Sequence, residues 1–139
     1  EVGGPGQQRL KAARVGLSEA EAKEQGTAVE VVKIAFSDLD RAIAEAATAG
    51  FVKVLVSPGK DEVLGASIVG ERAGELIAVL ALAMKHGIGL DKILGTVFAY
   101  PTFAEAIKSA AGERRKRHQP KRLLDFAERY HRWKRGGDA

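Results

Sequence analysis

The chain of 139 residues contains no cysteine. Disulfides, thiolate metal ligands and a cysteine nucleophile are therefore excluded within it, and the composition suits a cytoplasmic setting. Its longest unbroken apolar run, Leu76 to Met84, falls far short of the roughly 20 residues that a helix needs to cross a bilayer. Histidine is scarce and scattered: His86, His118 and His131 bring no local carboxylate pattern with them, so the sequence offers no metal centre. His86, near a helix C-terminus, reads as a favourable dipole contact. A Gly-x-Gly fingerprint is also missing. The stretch G-A-S-I-V-G between Gly65 and Gly70 has neither the spacing of a phosphate loop nor the Lys-Ser/Thr that follows one. These two glycines are expected to permit a bulge or close packing, and the fragment is expected to bind no cofactor. No segment repeats at a fixed period, which rules out a solenoid.

The composition, 45% hydrophobic and 29% charged, is that of a globular chain long enough to bury a core. The net charge of +4 is unevenly spread. From Glu113 onward ten Lys/Arg face four Asp/Glu, giving +6, whereas residues 1–112 carry twelve against fourteen, giving −2. A tail rich in basic residues suggests an alternative function, a small module that binds nucleic acid or a membrane surface. Residues 1–8 lack the basic start and apolar core of a signal peptide and read as a cut or processed end. The expected organisation is a flexible or truncated start over 1–13, one domain over 14–113 and a basic helical extension over 114–139.

Local signals place the elements. R-L-K-A-A-R-V-G-L reads as an extended segment, and Ser18 with Glu21 forms an S-x-x-E capping box that opens a short helix ended by Gly26. T-A-V-E-V-V-K-I-A-F reads as a strand with Val29, Val31 or Val32, Ile34 and Phe36 inward and with Glu30 and Lys33 toward water. After a weakly helical stretch from Ser37 to Gly50, F-V-K-V-L-V-S and E-V-L-G-A-S-I-V-G flank the turn P-G-K-D, the pattern of an antiparallel hairpin. Glu71 to His86 predicts a long helix whose apolar residues run nearly all the way round, so that one face covers the sheet and another meets a partner. A short helix follows over Gly89–Gly95. Pro101-Thr102 then predicts a further helix start, with Thr102 as N-cap and Glu105 at the third position. A last helix is expected after Pro120, with Leu123, Ala127, Tyr130 and Trp133 or Lys134 on one face.

The motifs G-F-V-K-V-L-V, L-G-A-S-I-V-G, A-G-E-L-I-A-V-L-A-L-A-M-K-H-G-I and Y-P-T-F-A-E-A-I-K-S-A-A, with V-G-L-S-E-A-E-A-K upstream, occur in one order and spacing. Over roughly residues 14 to 112 this pattern resembles the C-terminal dimerisation domain of the pyridine nucleotide-disulfide oxidoreductases. That family is the flavoprotein class of dihydrolipoamide dehydrogenase, glutathione reductase and mercuric reductase. The resemblance implies an α+β fold, an antiparallel sheet of three to four strands with helices packed on one side. It also implies a homodimer in which each copy contributes residues to its partner's active site, with FAD and NAD(P)H bound by upstream domains of a parent oxidoreductase.

In the family a histidine precedes the proline of P-T-x-x-E and is oriented by the glutamate. Here the glutamate is Glu105 and the histidine position is Tyr100. A phenol titrating near about 10 is a poor general base at neutrality, where an imidazole near about 6.5 is a good one. Mercuric reductases also tend to carry tyrosine at this place, yet they end in a cysteine pair that this chain lacks. Tyr100 and Glu105 are thus the candidate catalytic residues, acting across the dimer. Two other readings stand beside that one: Glu105 as the reciprocal half of a helix cap, and Tyr100, flanked by Phe98 and Phe103, as a residue that packs at a dimer seam with its hydroxyl bonded to backbone.

Overall fold

The computed structural model describes residues 10–119. Four strands form one antiparallel sheet in the order β1-β4-β3-β2. They are β1 (Lys11–Gly16), β2 (Glu30–Ala35), β3 (Phe51–Val56) and β4 (Val63–Gly70). The hairpin read from the sequence is the β3-β4 pair, closed at its neck by Ser57 N–H to Glu62 O at 2.9 Å and within the turn by Lys60 N–H to Ser57 O at 3.2 Å. A register shift at Leu55/Val56 puts a bulge beside Gly65. At Gly65 a Cβ would come within 2.0 Å of the Leu17 carbonyl oxygen, and at Gly70 within 2.3 Å of the Phe36 ring. Both glycines are there because other parts of the chain occupy the space, the close-packing alternative of the sequence reading.

One face of the sheet is the core side. Val32, Val52, Val54, Ala66 and Ile68, at alternate positions on three strands, are fully buried there. The ambiguity at Val31-Val32 is settled in favour of Val32. Two helices cover this face: α3 (Ala73–Lys85) lies over β4 and β1, and α5 (Glu105–His118) lies over β2 and β3. Short helices α2 (Asp40–Ala44) and α4 (Leu90–Leu94) fill the ends. The first helix, α1 (Glu19–Glu24), departs from the one-sided arrangement. Its Glu19 pairs with Lys53, whose side chain points away from the core face, and its Ala22 is buried. The expected capping box is present, with Glu21 N–H bonded to Ser18 Oγ at 3.2 Å and Ser18 N–H to Glu21 Oε2 at 2.8 Å.

Three local expectations are corrected. The helix predicted from Pro101-Thr102 begins at Glu105 with Ala104 as its N-cap, because the Thr102 hydroxyl donates to Ala99 O at 2.7 Å instead of accepting from the helix. That helix then continues to His118, past Glu113. Glu30, expected in water, shares the parity of Val32; its side chain is only 17% exposed and pairs with Arg114 and His118. The helix expected after Pro120, with Tyr130 and Trp133, lies outside the described residues, as does His131.

Candidate functional site

Tyr100 sits in an irregular segment between α4 and α5, joined to Pro101 by a cis peptide bond. Both ends of the segment are tied down. At the start, Thr96 Oγ1 donates to Lys92 O at 3.0 Å, closing α4. At the end, Phe103 enters the core and meets the Phe36 ring edge-on, with centroids 5.4 Å apart and planes at 65°. Between these anchors the chain projects outward: Val97 is 92% exposed and Tyr100 69% exposed. Tyr100 is therefore not buried among the described residues.

The hydroxyl of Tyr100 donates to Asp40 Oδ2 at 2.7 Å. Asp40 is the first residue of α2, 60 positions away in sequence. The hydrogen bond to Asp40 raises the phenol above its ordinary range, and the charges of Asp40 and Glu105 reinforce that direction. A neutral phenol is thus favoured even more strongly than for a free tyrosine. Glu105 does not hold the hydroxyl. Its Oε2 accepts the Thr102 N–H at 3.3 Å, the reciprocal half of a capping box whose other half is absent. Within the chain the two candidate residues thus have separate partners, Tyr100 with Asp40 and Glu105 with Thr102.

Beside this segment lies an open groove of about 350 Å³, floored by Leu76, Pro101 and Phe103 and rimmed by Arg41, Glu45 and Arg72. Glu45 accepts from both arginines, from Arg41 Nε at 2.7 Å and from Arg72 at 3.5 Å. The Arg41 hydrogen bond is the main reason its carboxyl is held below the ordinary carboxylate range. Arg72 also lies 5.5 Å from the Phe103 ring, so the groove wall is fixed by a cation on an aromatic face.

Of the basic run R-R-K-R-H, Arg114 is turned inward and the other four residues are exposed. Arg114 is buried, donating to Asp61 Oδ1 at 3.2 Å and to Lys60 O at 3.0 Å, with Nε 3.4 Å from Glu30. Arg117 donates to Val31 O at 3.0 Å, and His118 meets Glu30 at 2.8 Å. Asp61 also accepts the Leu90 and Asp91 N–H groups, each at 2.8 Å, so one carboxylate ties the β3-β4 turn to α4 and α5. Arg117 and His118 are thus exposed but tethered, and they share the outer side of the run with Arg115 and Lys116.

The family model of the pyridine nucleotide-disulphide oxidoreductase dimerisation domain matches residues 8–111. The chain belongs to this family. Dihydrolipoyl dehydrogenase from Trypanosoma brucei brucei is 45% identical over 98 residues, covering 70% of this chain and 20% of that protein. Dihydrolipoamide dehydrogenase from Chaetomium thermophilum is 43% identical over 97 residues, 70% of this chain and 19% of that protein. The chain spans about a fifth of the length of these curated relatives. Among solved structures, LpdA from Mycobacterium tuberculosis superposes with a TM-score of 0.69 at 25% identity, covering 73% of this chain and 22% of that one. As a member of the dimerisation-domain family the chain has the fold expected of it, four antiparallel strands with helices. Nothing in the comparisons supports the alternative of a nucleic-acid- or membrane-binding module. No helix among the described residues is long and apolar enough to cross a membrane.

Sequence reasoning missed Asp40 and Arg114. Asp40 gave no signal, because its link to Tyr100 is purely tertiary. Arg114 did give one: Ile107, Ala110, Ala111 and Arg114 follow helical spacing and are all buried on α5.

Proposed function

We propose that this chain joins two copies of a cytoplasmic, FAD-dependent NAD(P)H oxidoreductase and carries Tyr100 and Glu105 to the partner copy's active site. One observation carries the joining: α3 buries Ala73, Leu76, Leu80 and Ala83 on its inner face yet leaves Leu82 59% exposed on another. Fully burying a leucine is worth about 1.5–3 kcal/mol, so covering Leu82 with a second copy would add to the dimerisation that the family match supports. A twofold contact would use each such residue twice.

Among the described residues, the Gly65–Gly70 stretch does not fit a dinucleotide. The space at Gly65 and Gly70, where a phosphate would need open backbone, is filled by Leu17 and Phe36. In this reading flavin and nicotinamide belong to other parts of a longer protein, where the flavin would supply the redox chemistry. What this chain adds is a protonated phenol on a projecting loop. Such a group binds and orients by hydrogen bonding and does not remove a thiol proton as an imidazole would. Glu105 fixes the backbone of the same loop through Thr102.

The test uses the longer protein. Tyr100→Phe keeps the ring and removes only the hydroxyl. Turnover on the physiological substrate should fall about tenfold, the loss of one hydrogen bond worth ~1.4 kcal/mol, while flavin reduction by nicotinamide stays within about twofold. Unchanged turnover with an intact dimer would reduce the segment to a structural one.

A further inference from the structure

We infer that Asp40 is the positioning residue for Tyr100, holding its hydroxyl as a hydrogen-bond acceptor so that the group Tyr100 meets is a neutral or cationic donor. The inference deepens the reading of Tyr100 given above and rests on it for the ligand. A phenol has one proton and spare lone pairs. With the proton committed to Asp40 Oδ2 at 2.7 Å, only the lone pairs face outward.

The charges around the hydroxyl define the donor further. Asp40 on α2 and Glu105 on α5 both act on Tyr100, and both are acidic. The neighbouring cation, Arg41, is committed to Glu45. Two carboxylates and an acceptor oxygen disfavour an anionic ligand such as a thiolate or carboxylate. They match an S–H, an amide N–H or an ammonium group. Asp40 thus holds the hydroxyl at the position where the resemblance implies a histidine oriented by Glu105, while Glu105 is occupied at Thr102.

Phenol absorbance reads this directly in the 139-residue chain, without turnover or dimer. There are two tyrosines, so subtracting the Tyr100→Phe titration isolates the Tyr100 step. In the unsubstituted chain that step should lie above the ordinary phenol range. Asp40→Asn, an exposed substitution, should move it to lower pH with circular dichroism unchanged, and Glu105→Gln should move it less. Added salt should narrow the gap between the unsubstituted chain and Asp40→Asn. A Tyr100 step that ignores Asp40→Asn overturns the assignment. Should that variant fail to fold, a step at or below the ordinary phenol range in the unsubstituted chain overturns it equally. In the longer protein, Asp40→Asn should raise KM for the donor substrate more than it lowers kcat. A shifted titration alongside normal turnover in Tyr100→Phe would sink the active-site role and leave the Asp40 contact standing, so the two failures are distinguishable.

Discussion

Replacing Arg114 by methionine keeps most of the side-chain volume but removes the cation that joins three elements. Its side chain is 8% exposed, and its guanidinium meets Asp61 Oδ1 at 3.2 Å, Lys60 O at 3.0 Å and Glu30 Oε2 at 3.4 Å. Removing one partner of a buried ion pair typically costs about 3–5 kcal/mol. Three features lower that figure here. Asp61 keeps its two N–H donors from Leu90 and Asp91, Glu30 keeps His118, and both carboxylates retain some exposure. In addition, Arg114 Nε is buried in ion-pair range of Glu30 but without a hydrogen bond, a cost the methionine relieves by about 1 kcal/mol. The net loss should be about 2 kcal/mol. Urea unfolding followed by circular dichroism should show the midpoint lowered by about 1 M at an m-value of about 2 kcal/mol/M. A loss below about 0.5 kcal/mol would mean that Arg114 is a solvated member of the basic run and that the Asp61-Glu30 anchor contributes nothing.

Gly65→Ala places a Cβ against the Leu17 backbone, at 2.0 Å from its oxygen, and should destabilise by about 2 kcal/mol or more by thermal melting, with the β1-α1 connection displaced. Ser18→Ala removes the α1 cap and should cost about 1 kcal/mol in the same assay. Glu21 has its carboxyl lowered from 4.5, mainly by the Ser18 backbone N–H. Its contribution is therefore complete above pH 4.5 and is lost as pH falls through the lowered value. A pH series of melts should show that acid loss reduced in Ser18→Ala, where the network holding Glu21 is weakened.

Elements defined by neighbours in sequence were the legible ones. The β3-β4 hairpin, the α1 capping box and α3 follow from alternation, the three-residue spacing of Ser18 and Glu21, and an apolar helical run. Each is decided by contacts within a few residues. What failed was decided elsewhere. Thr102 has the composition of an N-cap, but its hydroxyl turns back to Ala99 O, and α5 starts three residues later. R-R-K-R-H has the composition of a solvated tail, yet the helical phase set by Ile107 and Ala110 carries Arg114 into the core, where Glu30 and Asp61 wait on other elements. The Tyr100-Asp40 pair depends on where α2 docks, and local pattern carries no trace of it. The family motif singles out this loop, and the carboxylate that the Tyr100 hydroxyl meets within the chain, Asp40, lies outside the motif.

Joining two copies is the central claim, and sedimentation of the 139-residue chain across micromolar concentrations tests it most directly when run beside Leu82→Glu. Leu82 is 59% exposed within one copy, so a charge there leaves the fold of that copy intact. Placed in a contact between copies, the same charge would be desolvated without a partner and should weaken association by about 2 kcal/mol or more, roughly thirtyfold in the dimer dissociation constant. The account predicts a dimer for the unsubstituted chain and a shift toward monomer for Leu82→Glu with unchanged melting of the monomer. A chain that sediments as a monomer throughout, or a dimer indifferent to the charge at Leu82, would contradict it.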